Sequence, residues 1–253
     1  VDSHGLITVA GLVVGLLYGL FGVGSAFATP VLALLGVPGV IAVAAPLPGL
    51  LPGSAAGAWS YSRGGKVDWQ LARRVLLGGA PAAVLGAVAS RWIGGPALLV
   101  ISGVVLLVVG LRVLRPGNAV DPVRAADRRT DRVFVIGSAI LIGFVSGLLA
   151  NGGGFLLVPL FLLVLGLDMH EAAGTSMVVA AVLTVPTLLT HVALGNVDWL
   201  IAGLFATGLV PGALIGGRVA QRLPMARLRS AFGVLLVGFA TWFLLRQVMV
   251  AFR

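Results

Sequence analysis

Two short stretches hold the residues with the most unusual chemistry to offer, "ANGGGFLLVP" (150–159) and a looser copy, "FGVGSAFATP" (21–30). Glycine adopts backbone conformations closed to other residues and lets the main chain itself approach a ligand. A helix starting near Gly24–Ser25 or near Gly153–Gly154 points its first free N–H groups, and the positive end of its dipole, at whatever lies ahead of it. Such a helix start receives an anion without any cationic side chain. Tyr18, Ser25, Asn151, Thr175 and Ser176 can add donors around the same place. Small residues also let membrane helices pack closely. That plainer role suits Gly11, Gly15, Gly19, Gly78, Gly79, Gly212 and Gly216, but it does not account for three glycines in a row, Gly152, Gly153 and Gly154.

Other chemistries find little support. With 0 cysteines there are no disulfides, thiolate metal sites or cysteine nucleophiles. The 8 acidic residues all fall in termini, loops or segment ends. No Ser/His pair, paired aspartates or His/Glu cluster lies at depth, so an intramembrane enzyme lacks its machinery. Asp68 and Asp198 each precede a tryptophan and an apolar run, which suits helix N-caps beside interfacial Trp. His170 with Glu171 reads as a loop-to-helix junction, and His191, near a segment end, titrates in the physiological range. His191 and Pro186 are the candidates for coupling and gating: proline bends a membrane helix and frees a carbonyl, as Pro46, Pro48 and Pro52 do in the first half. No cofactor and no metal is implied.

The elements that position these residues are apolar segments. The chain is 59% hydrophobic and 10% charged, with mean hydropathy +1.11, against about 25% charged in a soluble domain. Fold class is therefore an all-α integral membrane protein with the lipid bilayer as its surroundings. A net charge of +9 does not signal nucleic acid here, because the basic residues sit in short loops and at segment ends.

The sequence repeats at an offset near 130 residues. "GKVDW" (65–69) returns as "GNVDW" (195–199), and Gly78, Pro81, Ala83 and Gly86 fall on Gly208, Pro211, Ala213 and Gly216. With one residue of slippage Gly24 and Pro30 fall on Gly153 and Pro159. Each copy reads as a glycine-broken segment (5–35, 133–167) followed by three spans: 39–61, 69–91 and 96–115, then 171–193, 199–219 and 226–245. The domains are a first membrane repeat (1–115), an Arg-rich linker (116–132) and a second repeat (133–253).

A continuous helix of 31 residues would be about 46 Å long, too long for the hydrocarbon layer, and each half, of about 12 to 17 residues, too short. Two half-helices meeting at the midplane fit both lengths. If each broken segment returns to its own side, the repeats are inverted and 14 of the 17 basic residues share one face; if both cross, the split is 12 to 5. The positive-inside rule favours the inverted arrangement, with the linker in the cytoplasm and both termini outside. The expected location is a bacterial cytoplasmic membrane; a homodimer is left open.

At these residues the chain resembles the TauE/SafE family of sulfite and organosulfonate transporters. The family pattern, a Gly-rich break followed by Pro and then a Gly-Thr-Ser helix start, matches "SGLLANGGGFLLVPLFLLVLGL" and "AAGTSMVV" (172–179) in the second copy. The first copy, "YGLFGVGSAFATPVLALLGV", is looser, with Ala45-Pro46 where the second has Thr175-Ser176. The resemblance covers nearly the whole chain. It implies a secondary transporter of small sulfur-containing anions, such as sulfite, sulfonates or sulfoacetate, with Gly24, Ser25, Gly152, Gly153, Gly154, Thr175 and Ser176 at the site. A channel using the same site is the alternative.

Overall fold

The chain is described here by a computed structural model covering residues 3–23, 25–89, 92, 103–104, 107–108, 110–114, 131–148 and 154–251. Regular structure among these residues is entirely helical. The principal helices are α1 (Ser3–Phe21), α2 (Ser25–Leu34), α3 (Gly39–Ala44), α4 (Leu47–Arg63), α5 (Trp69–Ala89), α6 (Arg132–Leu148), α7 (Gly154–Leu163), α8 (Met169–Ala193), α9 (Trp199–Ala220) and α10 (Met225–Ala251). Among the described residues, six stretches are long and apolar enough to cross a membrane: His4–Phe21, Ile41–Arg63, Trp69–Ala89, Met169–Ala193, Trp199–Ala220 and Met225–Arg246. Most of the expected span 96–115 and of the linker, together with Gly24, Asn151, Gly152 and Gly153, lies outside the described residues.

Two expectations change. α1 has 19 residues, about 28 Å, so this half of the first broken segment is long enough to cross by itself. Only its partner α2, at 10 residues, is clearly too short, as is α7 in the second copy. The span expected at 39–61 is also two helices, because a turn at Ala45–Pro46 separates α3 from α4. Its counterpart α8 runs unbroken for 25 residues, with Thr175 and Ser176 at the equivalent positions.

Local sequence sets the helix ends. Aspartate carboxylates accept the free N–H groups of first turns: Asp68 from Leu71, Asp168 from Glu171, Asp198 from Leu200 and Ile201. At the other end, Gly65 (φ 66°) and Gly195 (φ 69°) allow matching C-terminal turns. Lys66 N–H closes onto Tyr61 O at 3.0 Å, and Asn196 N–H onto His191 O at 3.0 Å. The internal repeat is thus realised as repeated hydrogen bonding.

Packing is mainly between the copies. A Cβ on Gly11, Gly15 or Gly19 of α1 would run into the backbone of Phe205, Leu209 or Ala213 on α9. In the same way Gly143 and Gly147 of α6 lie against Gly79 and Ala83 of α5. In both pairs residue numbers rise together, so the helices are parallel. Gly49 faces Ala206 while Gln221, just past α9, donates to Ser60 O, so α4 is parallel to α9. Asp68 N–H meets Thr175 and Gly79 faces Leu183, so α5 is parallel to α8. Gly57 faces Met177 and Gly174 faces Tyr61, so α4 is antiparallel to α8. Helices α1, α4 and α9 therefore run one way, and α5, α6 and α8 the other. With no water to exclude between helices in lipid, this close backbone contact is what dispersion forces require.

Candidate functional site

The first break is built by α1, α2, α4 and α8. α1 closes with Gly22 N–H donating to Tyr18 O at 2.7 Å, and Gly22 then turns with φ 75°. A side chain there would be strained and crowded: its Cβ would lie 2.6 Å from Ser176 Oγ and 3.1 Å from Ala173 Cα. The backbone of the break therefore rests directly on α8. Val23 is fully buried, and α2 begins at Ser25.

A helix ending inside the protein leaves carbonyls to satisfy. Tyr61 does this: its hydroxyl donates to Gly19 O (3.1 Å) and Leu20 O (3.2 Å) from a fully buried side chain on α4. Tyr18, also buried, receives Gly22 N–H on its carbonyl, and Ser54 on α4 donates to Leu50 O at 2.7 Å. Both tyrosines of the chain, 2 in all, thus serve the same break.

Of the residues expected from sequence, Tyr18 and Ser176 are brought to this break. Ser176 Oγ donates to Ala173 O at 2.8 Å, beside Gly22. Thr175 is one residue away on α8 but its hydroxyl oxygen accepts Asp68 N–H at 3.0 Å, tying α8 to the start of α5. Ser25 is the first residue of α2 and Gly154 the first of α7. Gly24, Asn151, Gly152 and Gly153 lie outside the described residues. His191 is buried in the last turn of α8, with Asn196 Nδ2 3.5 Å from its Nδ1. Pro186 lies inside α8, and its carbonyl accepts from Thr190 Oγ1 at 2.9 Å.

The first break lies nearer one end of the surrounding helices than their middle. Ser176 is about 10 Å from the start of α8, and Gly216, which faces Gly19, is about 6 Å from the end of α9. The break lies nearer one end of the helices because α1 is nearly full length. That end is basic: Arg63, Lys66, Arg73, Arg74, Arg132, Arg218, Arg222, Arg227 and Arg229 all sit at helix ends or turns there. Lys66 Nζ reaches Asp168 at 3.7 Å across the copies, and His170 Nε2 meets Ala220 O at 3.0 Å. From this end α10 sets out. Phe21 packs on Phe232 (5.6 Å between centroids), and Phe27, on α2, packs on Phe239 (4.6 Å), two turns further along α10.

Sequence reasoning missed Tyr61, Ser54 and the Lys66–Asp168 pair. A signal existed for Tyr61: it is one of 2 tyrosines and sits one repeat before His191. Ser54, likewise one repeat before Thr184, gave none, since a serine in a glycine-rich helix reads as packing. Both hydroxyls are buried and bonded to the preceding turn of their own helices.

Comparison with known proteins agrees on kind. A model of the family described as sulfite exporter TauE/SafE matches residues 7–243. A protein of Xylella fastidiosa described as a probable membrane transporter protein is 31% identical over 247 residues, covering 94% of each chain. Two probable membrane transporter proteins of Bacillus subtilis are each 26% identical: YjnA over 232 residues (85% of this chain, 90% of its own) and YunE over 176 residues (63% of each). No solved structure matches the chain.

Proposed function

This chain is a multi-pass membrane transporter of the TauE/SafE sulfite exporter family, and from that premise we propose that it is a secondary carrier of a small sulfur-containing anion such as sulfite, a sulfonate or sulfoacetate. The anion sits against the opening amides of a short helix that starts at a glycine break. Gly24 and Ser25 form the seat in the first copy, with Ser176 and Tyr18 beside it. Asn151, Gly152, Gly153 and Gly154 form its counterpart in the second. Thr175 holds the seat in position through the start of α5. The observation that carries the reading is the lodging of Gly22, at the end of α1, against Ser176 and Ala173 of the other copy. The unpaired N–H groups at such a start and the aligned peptide dipoles favour negative charge.

The two copies (1–115 and 133–253, joined by 116–132) act as inverted repeats. Support comes from the helix directions: α1, α4 and α5 run opposite to their counterparts α6, α8 and α9. Inverted repeats place equivalent seats toward opposite faces, so an anion passes from one to the other between α4 and α8. The re-entrant course of the first broken segment is supported by Phe27, which meets α10 further from the basic end than Phe21 does. The basic end faces the cytoplasm and both termini face outward, following the positive-inside rule in a bacterial inner membrane.

Reconstitution in liposomes tests the function. Labelled sulfonate uptake should saturate and should be driven by unlabelled anion on the far side. Unsaturated flux without counterflow would mean a channel, and no sulfonate or sulfite flux would reject the substrate class.

A further inference from the structure

We infer that the bodies which move against each other during transport are not the two repeats but two bundles of three helices, each drawn from both repeats, bolted together in this structure at the basic end. The inference rests on the anion transport proposed above and adds which parts of the molecule move.

Helix direction and packing define the bundles. The first is built on α9, which receives α1 along Gly11, Gly15 and Gly19, and α4 where Gly49 meets Ala206 and Gly217 meets Ser60. The second is built on α5, which receives α6 along Gly143 and Gly147, and α8 at Thr175 and Leu183. Within each bundle the helices run one way, and the two bundles run oppositely. In the α1–α9 and α5–α6 seams one backbone lies directly on another, and matter packed that closely moves as a unit.

The bundles meet along α4 and α8, and this seam is made differently. Met177, fully buried, lays its thioether into the notch at Gly57. An unbranched methionine re-packs readily, so this contact yields where backbone contacts do not. The chain crosses between the bundles in the α4–α5 turn. As far as Lys66 the turn belongs to α4, since Lys66 N–H closes on Tyr61 O at 3.0 Å. From Asp68 it belongs to the other bundle, since Asp68 N–H meets Thr175 Oγ1 at 3.0 Å. Val67 lies between them and is the hinge residue.

Polar contacts bridge the bundles at the basic end. His170 Nε2, at the start of α8, donates to Ala220 O at the end of α9 at 3.0 Å, and both residues are buried. A carbonyl only accepts, so this ring nitrogen carries the proton. Lys66 Nζ reaches Asp168 at 3.7 Å, an exposed pair that holds weakly. One repeat away, His170 and Ala220 correspond to Val40 and Ser90, and Lys66 and Asp168 to Asn196 and Pro38. Neither bolt can therefore be repeated at the opposite end. One hydrogen bond and one exposed ion pair are weak enough to part in a transport cycle, and rocking along the α4–α8 seam opens the basic end by breaking them.

With 0 cysteines in the chain, the division is open to cross-linking of the full protein in liposomes, using a short bifunctional thiol reagent that a reductant cleaves and reading flux of a labelled alkanesulfonate. Linking Lys66→Cys to Asp168→Cys, or His170→Cys to Ala220→Cys, joins the bundles and should abolish flux until reductant restores it. Linking Ser60→Cys to Gln221→Cys acts at the same end but within one bundle, where Gln221 Nε2 lies 2.8 Å from Ser60 Oγ, and should leave flux as it was. If the Asp168 variant fails to fold, because that residue also caps α8, the His170 and Ala220 pair carries the same test. Flux that survives a cross-bundle link, or that the within-bundle link abolishes as well, overturns the inference while leaving transport standing. Absence of flux in the wild-type chain before any linking overturns both.

Discussion

A serine and two tyrosines decide how the first break is held. Ser176 lies against Gly22 and spends its proton on Ala173 O. If its hydroxyl turns to an arriving anion, Ser176→Ala should weaken sulfonate binding by about tenfold, the value of one hydrogen bond to a charged group. Unchanged binding in a calorimetric titration would remove Ser176 from the seat. Tyr61 has a different duty. Tyr61→Phe leaves Gly19 O and Leu20 O without their donor in a buried place, at a cost of about 1 to 3 kcal/mol. Thermal unfolding in detergent measures that loss, and an unaltered midpoint would mean that the carbonyls find other partners.

Between residues and the whole lie two kinds of helix contact. The α1–α9 and α5–α6 seams are made of glycines facing backbone, so neither tolerates a side chain. Gly15→Leu and Gly143→Leu should each cost at least about 3 kcal/mol by overpacking. Gly203, on α9 with nothing within 4 Å, should accept alanine without loss and serves as the control. Helix α8 is different, because Pro186 interrupts its hydrogen bonding and Thr184, Thr187 and Thr190 bond to carbonyls of their preceding turns. That stretch is the natural bend of a moving helix. Pro186→Ala should slow counterflow by about threefold or more if bending gates the cycle. An unchanged rate would confine the proline to shape.

The molecule as a whole is an exchange between two copies: the first helix of each packs on the other copy, and Lys66 reaches Asp168 across them at the basic end. The opposite end has Asn196 and Pro38 at the equivalent positions, so this pair is not repeated there. The two ends are thus closed by different chemistry. With 0 cysteines in the chain, orientation is open to direct measurement. A single Lys66→Cys in whole cells should resist a membrane-impermeant thiol reagent and react once the membrane is opened. Reaction in intact cells would reverse the assignment of the basic end to the cytoplasm.

Membrane class and the aspartate caps were legible from residues alone, since hydropathy and an Asp before an apolar run are properties of the chain in one dimension. The packing glycines were legible for the same reason, as spacing along a helix fixes which residues share a face. Sequence alone pointed to a break at the first glycine stretch but divided the apolar run into two halves each too short to cross, whereas α1 is nearly full length. Where α1 stops depends on how far it slides along α9 before Gly19 meets Ala213 and Tyr61 meets its last carbonyls. The division of labour between Ser176 and Thr175 was equally invisible. Adjacent residues on a helix point about 100° apart, and only the packing of α8 against the break on one side and α5 on the other tells which hydroxyl faces which.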